Sequence, residues 1–374
     1  AHFNNAGAAL PPTPVLDAVK DYLQLEGEIG GYEAMRARAG DIDAARVHAA
    51  QLIGADPRNI AFTASSTDGY ARALSAIAFE AGDVIVTTLA DYVSNQIAFV
   101  GLAERFGVET VYAPDLPGGG VDVDALEALV KTRRPRLVAA THMPTHSGLV
   151  QPVGEIGLIA RDAGALYIVD ACQSAGQLAL NAPAIGCDFL TMSFRKFLRG
   201  PRGMGVLYVS DAALGAGLKP LFADLHSGRL VEAGAYEPVA DAVRFEWFET
   251  SYAGLLGAGA AAAYALRLGT ERIEAEVLSR AAAVRERLCA IDGLDLMGAG
   301  PGAIVPFHVN GKDGAALRAA LAARRINVQL MSPDNAPLIP ALREKGWALR
   351  VSPHYYTSAD EIDALVEALQ VLAV

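Results

Sequence analysis

The chain has 374 residues, 52% apolar and 20% charged, enough to bury a sizeable core and to form two packed domains rather than one. Its 42 acids against 31 bases leave a net charge of -11, which argues against nucleic acid as a partner, because phosphate-backbone binding needs a basic face. Three cysteines, Cys172, Cys187 and Cys289, show no CxxC pairing and build no disulfide framework, so a reducing cytoplasm is the expected compartment.

Taken in order, His2-Phe-Asn-Asn-Ala6 has neither the basic nor the apolar stretch of a secretion signal. Residues 1–14, through Pro11-Pro-Thr-Pro14, read as an extended, turn-rich segment. Apolar spacing predicts helices over Val15–Glu26 and Asp41–Ile53, the first ended by the glycines at 27–31. From there short apolar strands alternate with helices. The strands are Ile60–Thr63, Val84–Thr87, Val108–Tyr112, Leu137–Thr141, Leu166–Val169, Phe189–Met192 and Met204–Val209. Their near-continuous apolarity fits a parallel sheet covered on both faces, an α/β domain over residues 15–268. The Ala-rich run Leu255–Leu268 is too short to span a bilayer and reads as a buried helix, so no membrane is expected as a partner. Residues 269–374 form a smaller α+β unit. It has helices at Glu271–Ile291, Gly314–Arg324 and Ser358–Leu372, and strands at Ala303–Val309, Ile326–Leu330 and Trp347–Ser352.

Ligands of such sheets bind beyond the carboxyl ends of the strands, so the polar residues there are the ones to weigh. Ser65-Ser-Thr67 opens a helix, which suits either an anion or ordinary capping; with no GxxxxGK it is not a Walker loop. Tyr92 follows a strand and could stack on a flat ring or simply fill space. His142 and His146 flank Pro144 with no acidic third ligand, so a metal site is rejected. Asp170 ends a strand, where a buried acid is costly unless paired with a cation or used as a cap. Lys196 follows Ser193 and Arg195 and precedes Gly200-Pro-Arg-Gly-Met-Gly205. It reads either as part of a solvated basic turn or as a Schiff-base nucleophile. An acid and a lysine on nearby strand ends, with hydroxyls and an arginine for a phosphate, are what pyridoxal phosphate requires. Gly298-Ala-Gly-Pro-Gly302 has the wrong spacing for a dinucleotide loop and reads as a turn.

On Asp170-x-x-Gln173 and Ser193-x-Arg-Lys196 with its glycine-rich sequel, the chain resembles fold-type-I pyridoxal-phosphate enzymes of the class V aminotransferase group. That group includes cysteine desulfurases, isopenicillin N epimerase-like proteins, kynureninase and hercynylcysteine sulfoxide lyase. The resemblance implies the PLP-dependent transferase fold, with a mainly parallel large domain and a smaller α+β C-terminal domain. It implies that Lys196 forms the Schiff base and later moves the α-proton. Asp170 pairs with the pyridine nitrogen, and Gln173 sits near the ring hydroxyl. Ser66, Thr67, Ser193 and Arg195 hold the phosphate, Arg195 standing where desulfurases usually carry histidine. Tyr92 takes the place of a ring-stacking histidine and Thr145 that of an asparagine near the ring oxygen. Arg350, in Leu349-Arg-Val-Ser-Pro353, matches the arginine that grips the substrate carboxylate, and Asn5 and Ala6 belong to a segment lining the substrate pocket. Thr250 and Ser251 lie in a loop that reaches a partner subunit's phosphate in relatives, which implies a homodimer with shared sites.

Desulfurases carry a reactive cysteine before the carboxylate-binding arginine, and Asn327-Val-Gln-Leu-Met-Ser-Pro333 has none. Gly30-Gly-Tyr-Glu33 and Phe245–Thr250 look closest to the sulfoxide-lyase and epimerase branch. The leading expectation is therefore a β-eliminating C–S lyase acting on a cysteine conjugate through an α-carbanion. A class V aminotransferase, an amino-acid epimerase and a catalytically silent protein of the same fold are the alternatives.

Overall fold

The computed structural model describes residues 1–298 and 300–373. Seven strands form the central sheet: β1 (Ile60–Thr63), β2 (Val84–Thr88), β3 (Glu109–Ala113), β4 (Leu137–Thr141), β5 (Leu166–Asp170), β6 (Phe189–Ser193) and β7 (Gly205–Val209), in the order β1-β7-β6-β5-β4-β2-β3. Alternate positions serve two cores. Phe62, Val86, Val138, Val169 and Leu190 point to one face, and Ala61, Ile85, Leu137, Ile168 and Phe189 to the other. Burial on both faces explains why these strands read as unbroken apolar runs.

The sheet is mixed. Strands β2 to β6 pair in parallel, but β7 runs antiparallel to both β6 and β1. The β6–β7 connection is a loop with no crossover helix, which suffices only for antiparallel neighbours. Because β7 alone is reversed between them, β1 and β6 end at the same edge, together with β2, β4 and β5. The Lys196 loop folds back over that edge.

Two glycines permit this. A Cβ on Gly205 would lie 2.5 Å from the carbonyl carbon of Ser65, so only glycine lets β7 pass beneath the turn after β1. Gly176, at φ +87°, would meet the backbone of Phe197 at 2.4 Å, which brings the Asp170 loop against the Lys196 loop.

The C-terminal unit carries a second sheet of β10 (Leu294–Leu296), β11 (Val305–Val309), β12 (Gln329–Met331) and β13 (Ala348–Val351), ordered β10-β11-β13-β12 and antiparallel throughout. Helices Thr270–Cys289, Gly314–Ala323 and Ala359–Ala373 lie close to the sequence expectation. Strand β12 begins later than the expected Ile326, because Asn327 pairs instead with His2 of the N-terminal segment. That segment is extended, as expected. Phe3 enters the C-terminal core, and Asn4 bridges to Ser352. A hairpin of β8 (Gly228–Glu232) and β9 (Ala235–Pro238) leaves the large sheet and is largely exposed. The helix Tyr252–Leu268 is buried along nine of its residues, as the Ala-rich run suggested. The turn expected at 298–302 includes Ala299, which lies outside the described residues. Among the described residues no helix is long and apolar enough to cross a membrane.

Candidate active site

At the carboxyl edge of the central sheet a cavity is walled by Ser65, Ser66, Thr67, Tyr92, Thr141, Met143, Thr145, Asp170, Cys172, Gln173, Ser193, Arg195 and Lys196. Nine of the expected site residues meet here.

Asp170 ends β5 and is 3% exposed. Its Oδ1 accepts from the Cys172 N–H at 2.8 Å and lies 3.4 Å from the Ser66 hydroxyl; Oδ2 accepts from Asn95 Nδ2 at 3.2 Å. Lys196 follows β6 and is 7% exposed, and among the described residues no acid pairs with it. Its loop is anchored from behind. Phe194, Phe197 and Leu198 are buried, and the Ala9 N–H donates to the Arg195 carbonyl at 2.9 Å. The Arg199 guanidinium donates to the Leu10 carbonyl at 2.7 Å and lies over the Tyr356 ring. A buried lysine and a buried aspartate thus line one cavity, among the described residues without an ion pair between them, which leaves room for a bound group that bridges them.

The helix Ser66–Ser75 points its N-terminus at the cavity. Ser65 caps it by accepting from the Asp68 N–H at 3.1 Å. The Ser66 N–H donates to Ser193 Oγ at 3.0 Å, and the Ser66 hydroxyl donates to Thr191 Oγ1 at 2.8 Å. Ser66 therefore serves the cavity floor through its side chain, whereas Thr67 is exposed to the cavity. With Ser193 and the backbone amides of the first helical turn these residues form an anion cradle. The Arg195 guanidinium lines the same wall and donates to the Gly7 carbonyl.

Above the cavity, Arg350 is 5% exposed and has no acidic partner among the described residues. Its Nη1 donates to Thr145 Oγ1 at 2.7 Å and to the Thr145 carbonyl at 2.9 Å, while its Nε has no partner. Burial, reinforced by the charge of Arg195, pulls the guanidinium down to about 10. Thr145 Oγ1 also accepts from Gln173 Nε2 at 3.0 Å, and Gln173 Oε1 is buried without a partner. An uncompensated buried guanidinium has an evident complement in a substrate carboxylate. The unpartnered polar atoms and the open lysine–aspartate pair fit a phosphorylated pyridine ring carrying an amino acid.

Besides Arg350, four expected residues lie outside this cavity wall. Asn5 is fully buried, but its amide donates to the Ser352 carbonyl at 2.7 Å and its oxygen accepts from the Tyr356 hydroxyl. It ties the N-terminal segment to the C-terminal unit. Ala6 contributes its carbonyl, which accepts from Gln173 Nε2 at 3.1 Å. Thr250 and Ser251 line a separate groove with Tyr22, Tyr32 and Phe248, and Ser251 caps the helix Tyr252–Leu268 by accepting from the Gly254 N–H at 3.1 Å. His142 and His146 are neutral: burial pulls both down to about 4. The sequence reading passed over Asp91, Asn95 and Thr141, which link Tyr92 to Asp170 beneath the cavity. Their signal is the acid immediately before Tyr92, but its direction is set by strands distant in sequence.

Comparison with known proteins places the chain in a family along nearly its whole length. A family model described as Aminotransferase class-V matches residues 1–365. A probable cysteine desulfurase of Methanothermobacter thermautotrophicus is 30% identical, covering 100% of this chain and 94% of that protein. A probable hercynylcysteine sulfoxide lyase of Mycobacterium tuberculosis is 28% identical, covering 98% of this chain and 89% of its own length. In three dimensions the chain is similar to the apo structure of a cysteine desulfurase from Thermococcus onnurineus, with a TM-score of 0.91 at 26% identity over 100% of this chain and 94% of the other. The chain belongs to the class-V aminotransferase family and is a pyridoxal-phosphate-dependent enzyme.

Proposed function

We propose that the enzyme cleaves the C–S bond of a cysteine-type amino acid by β-elimination. The observation that carries this reading is Arg350, buried and without an acid, above a cavity that Lys196 and Asp170 share. Asp170 would hold the cofactor's ring nitrogen, Thr67, Ser193, Arg195 and the helix amides its phosphate, and Gln173 and Thr145 its ring oxygen, with Tyr92 against the ring face. Ser66 supports that set from below. Bound pyridoxal phosphate supplies the electron sink that acidifies the substrate's α-C–H.

The chain's own residues do the rest. Arg350, fixed by Thr145, binds the α-carboxylate and orients the amino acid. Nζ of Lys196 takes the α-proton as general base. The Cβ–S bond then breaks with its electron pair leaving on sulfur, and the released three-carbon product hydrolyses to pyruvate and ammonia. The desulfurase relatives direct attention to a cysteine acceptor, but residues 327–333 contain none. Cys172 does line the cavity, but on the turn directly after Asp170 and not on the stretch before Arg350; Cys187 is buried, with its thiol pushed up by burial, and Cys289 is exposed at the end of the helix Thr270–Cys289. Elimination is therefore favoured over persulfide transfer.

A panel of S-substituted cysteines, assayed for pyruvate, ammonia, keto acid and inverted amino acid, tests the reading. Pyruvate with ammonia supports it. Keto acid alone would mean transamination, inverted amino acid alone epimerisation, and either result overturns it.

The working form we propose is a cytoplasmic homodimer. Two features support the dimer: Thr250 and Ser251 face away from their own cavity, and Leu221, Phe222, Leu225 and Leu230 expose a contiguous apolar surface. The three cysteines, all free, fit a reducing compartment.

A further inference from the structure

Beneath the cavity floor lies a second buried carboxylate that the mechanism above does not use. Asp91 is 6% exposed and sits between β2 and the helix Val93–Phe106. Four donors converge on it. Thr87 Oγ1 reaches Oδ2 at 2.7 Å, while the Tyr92 N–H at 2.7 Å, Thr141 Oγ1 at 2.5 Å and Asn95 Nδ2 at 3.0 Å all reach Oδ1. Asn95 is 2% exposed, and its Nδ2 also donates to Asp170 Oδ2 at 3.2 Å. One amide nitrogen, with two N–H bonds to give, therefore bridges two buried carboxylates.

The titratable groups that face Asp91 are Asp170 on β5, Tyr70 on the helix Ser66–Ser75 and Tyr112 on β3; no cation among the described residues opposes it. Burial, with the charge of Asp170 adding to it, raises the Asp91 carboxyl above its ordinary range, against the pull of its hydroxyl and amide donors. An acid placed there costs stability. A fold that needed only a hydrogen-bond acceptor would be served better by a neutral group.

We propose that Asp91 is a positioning residue for the reaction: through Asn95 it fixes the carboxylate of Asp170, and through the Tyr92 N–H and Thr141 it fixes the backbone that carries Tyr92, so that one side chain sets both the edge contact and the face contact of the cofactor ring. The inference depends on Asp170 being the partner of the cofactor's ring nitrogen, as proposed above. When ionised, Asp91 also places a negative charge behind Asp170, and so favours the protonated form of whatever stands in front of it.

Asp91→Asn keeps the shape and removes the charge; Asn95→Ala keeps the charge and removes the bridge. The test uses the pH titration of the bound cofactor's visible band, kcat and KM, and thermal unfolding of each protein stripped of cofactor. In Asp91→Asn the midpoint of the visible titration falls by about one pH unit, the size of shift a nearby charge imposes. Both single variants lose about tenfold in kcat with KM within about twofold, and the double variant loses no more than either alone, because the residues act as one unit. The stripped Asp91→Asn protein is at least as stable as the wild type. Asp91→Asn with a wild-type midpoint and kcat, or a double variant whose loss is the product of the singles, overturns the inference. So does a loss of stability that accounts for the lost activity. A wild-type protein without a visible band defeats the cofactor reading and this inference together; a normal wild-type band beside an unaltered Asp91→Asn defeats this inference alone.

Discussion

Arg350 shows how one side chain can be committed to a ligand before the ligand arrives. It is buried on β13, held by Thr145 and left without an acid, so its desolvation is offset only when a carboxylate binds. Arg350→Met should therefore lower kcat/KM for the amino acid about 10²–10³-fold, the loss expected when a buried charge-assisted pair is broken, and leave the cofactor's visible band in place. Steady-state kinetics beside the absorption spectrum check this; an unchanged kcat/KM would place the substrate carboxylate elsewhere. At this scale the sequence was most legible where chemistry is unusual. Asp170 ends a strand and Lys196 closely follows one, where a charge has few ordinary uses, whereas Arg350 lies inside β13 and was legible only through the resemblance. Asp91 and Asn95 were not legible, because their hydrogen bonds run to Thr141 and Asp170, 50 and 75 residues away. Asn5 shows the converse. Its neighbourhood was readable, but its amide is occupied by Ser352 and Tyr356, and that pairing depends on the C-terminal unit folding onto residues 1–6.

Among the elements, β7 decides the shape of the site. The apolar run at 204–209 identified a strand, but its reversed direction comes from the short Lys196 loop and from the space that Gly205 leaves under Ser65. Gly205→Ala would push a methyl group into the backbone that leads into the helix Ser66–Ser75. The prediction is a protein that folds but binds pyridoxal phosphate at least tenfold more weakly, read by dialysis or fluorescence titration, because the phosphate cradle is displaced rather than altered chemically. Unchanged affinity would mean that the turn after β1 does not hold the phosphate. The β8–β9 hairpin went unread because its strands alternate around exposed Leu230 and Val231 instead of burying an apolar face.

For the whole molecule, buried histidines set the acid limit. His354 is fully buried, its ring accepting from the Tyr355 N–H at 2.9 Å, and burial pulls it down to about 3; His142 is pulled down to about 4. Each is neutral in the folded state and gains its proton first in the unfolded one. The stability they confer is full above pH 6.5 and is lost as pH falls through the window from 6.5 to about 4 for His142 and to about 3 for His354. Denaturant unfolding at a series of pH values should show a decline of about 3 kcal/mol for His142 and about 4–5 kcal/mol for His354 across their windows, and His142→Gln should remove the first part of it. A curve flat from pH 7 to 4 would contradict the burial argument. Oligomeric state belongs at this scale too. The exposed Leu221, Phe222, Leu225 and Leu230 predict a dimer by light scattering, which Leu225→Glu with Leu230→Glu should dissociate.

The measurement that bears most directly on the proposed activity is the stoichiometry of products from an S-substituted cysteine, with Lys196→Ala as the control. Wild-type enzyme should release pyruvate and ammonia one for one with thiol, while Lys196→Ala should lack both the visible band and turnover. No pyruvate from any S-substituted cysteine, or equal turnover by Lys196→Ala, would contradict a lysine-driven C–S elimination at this site.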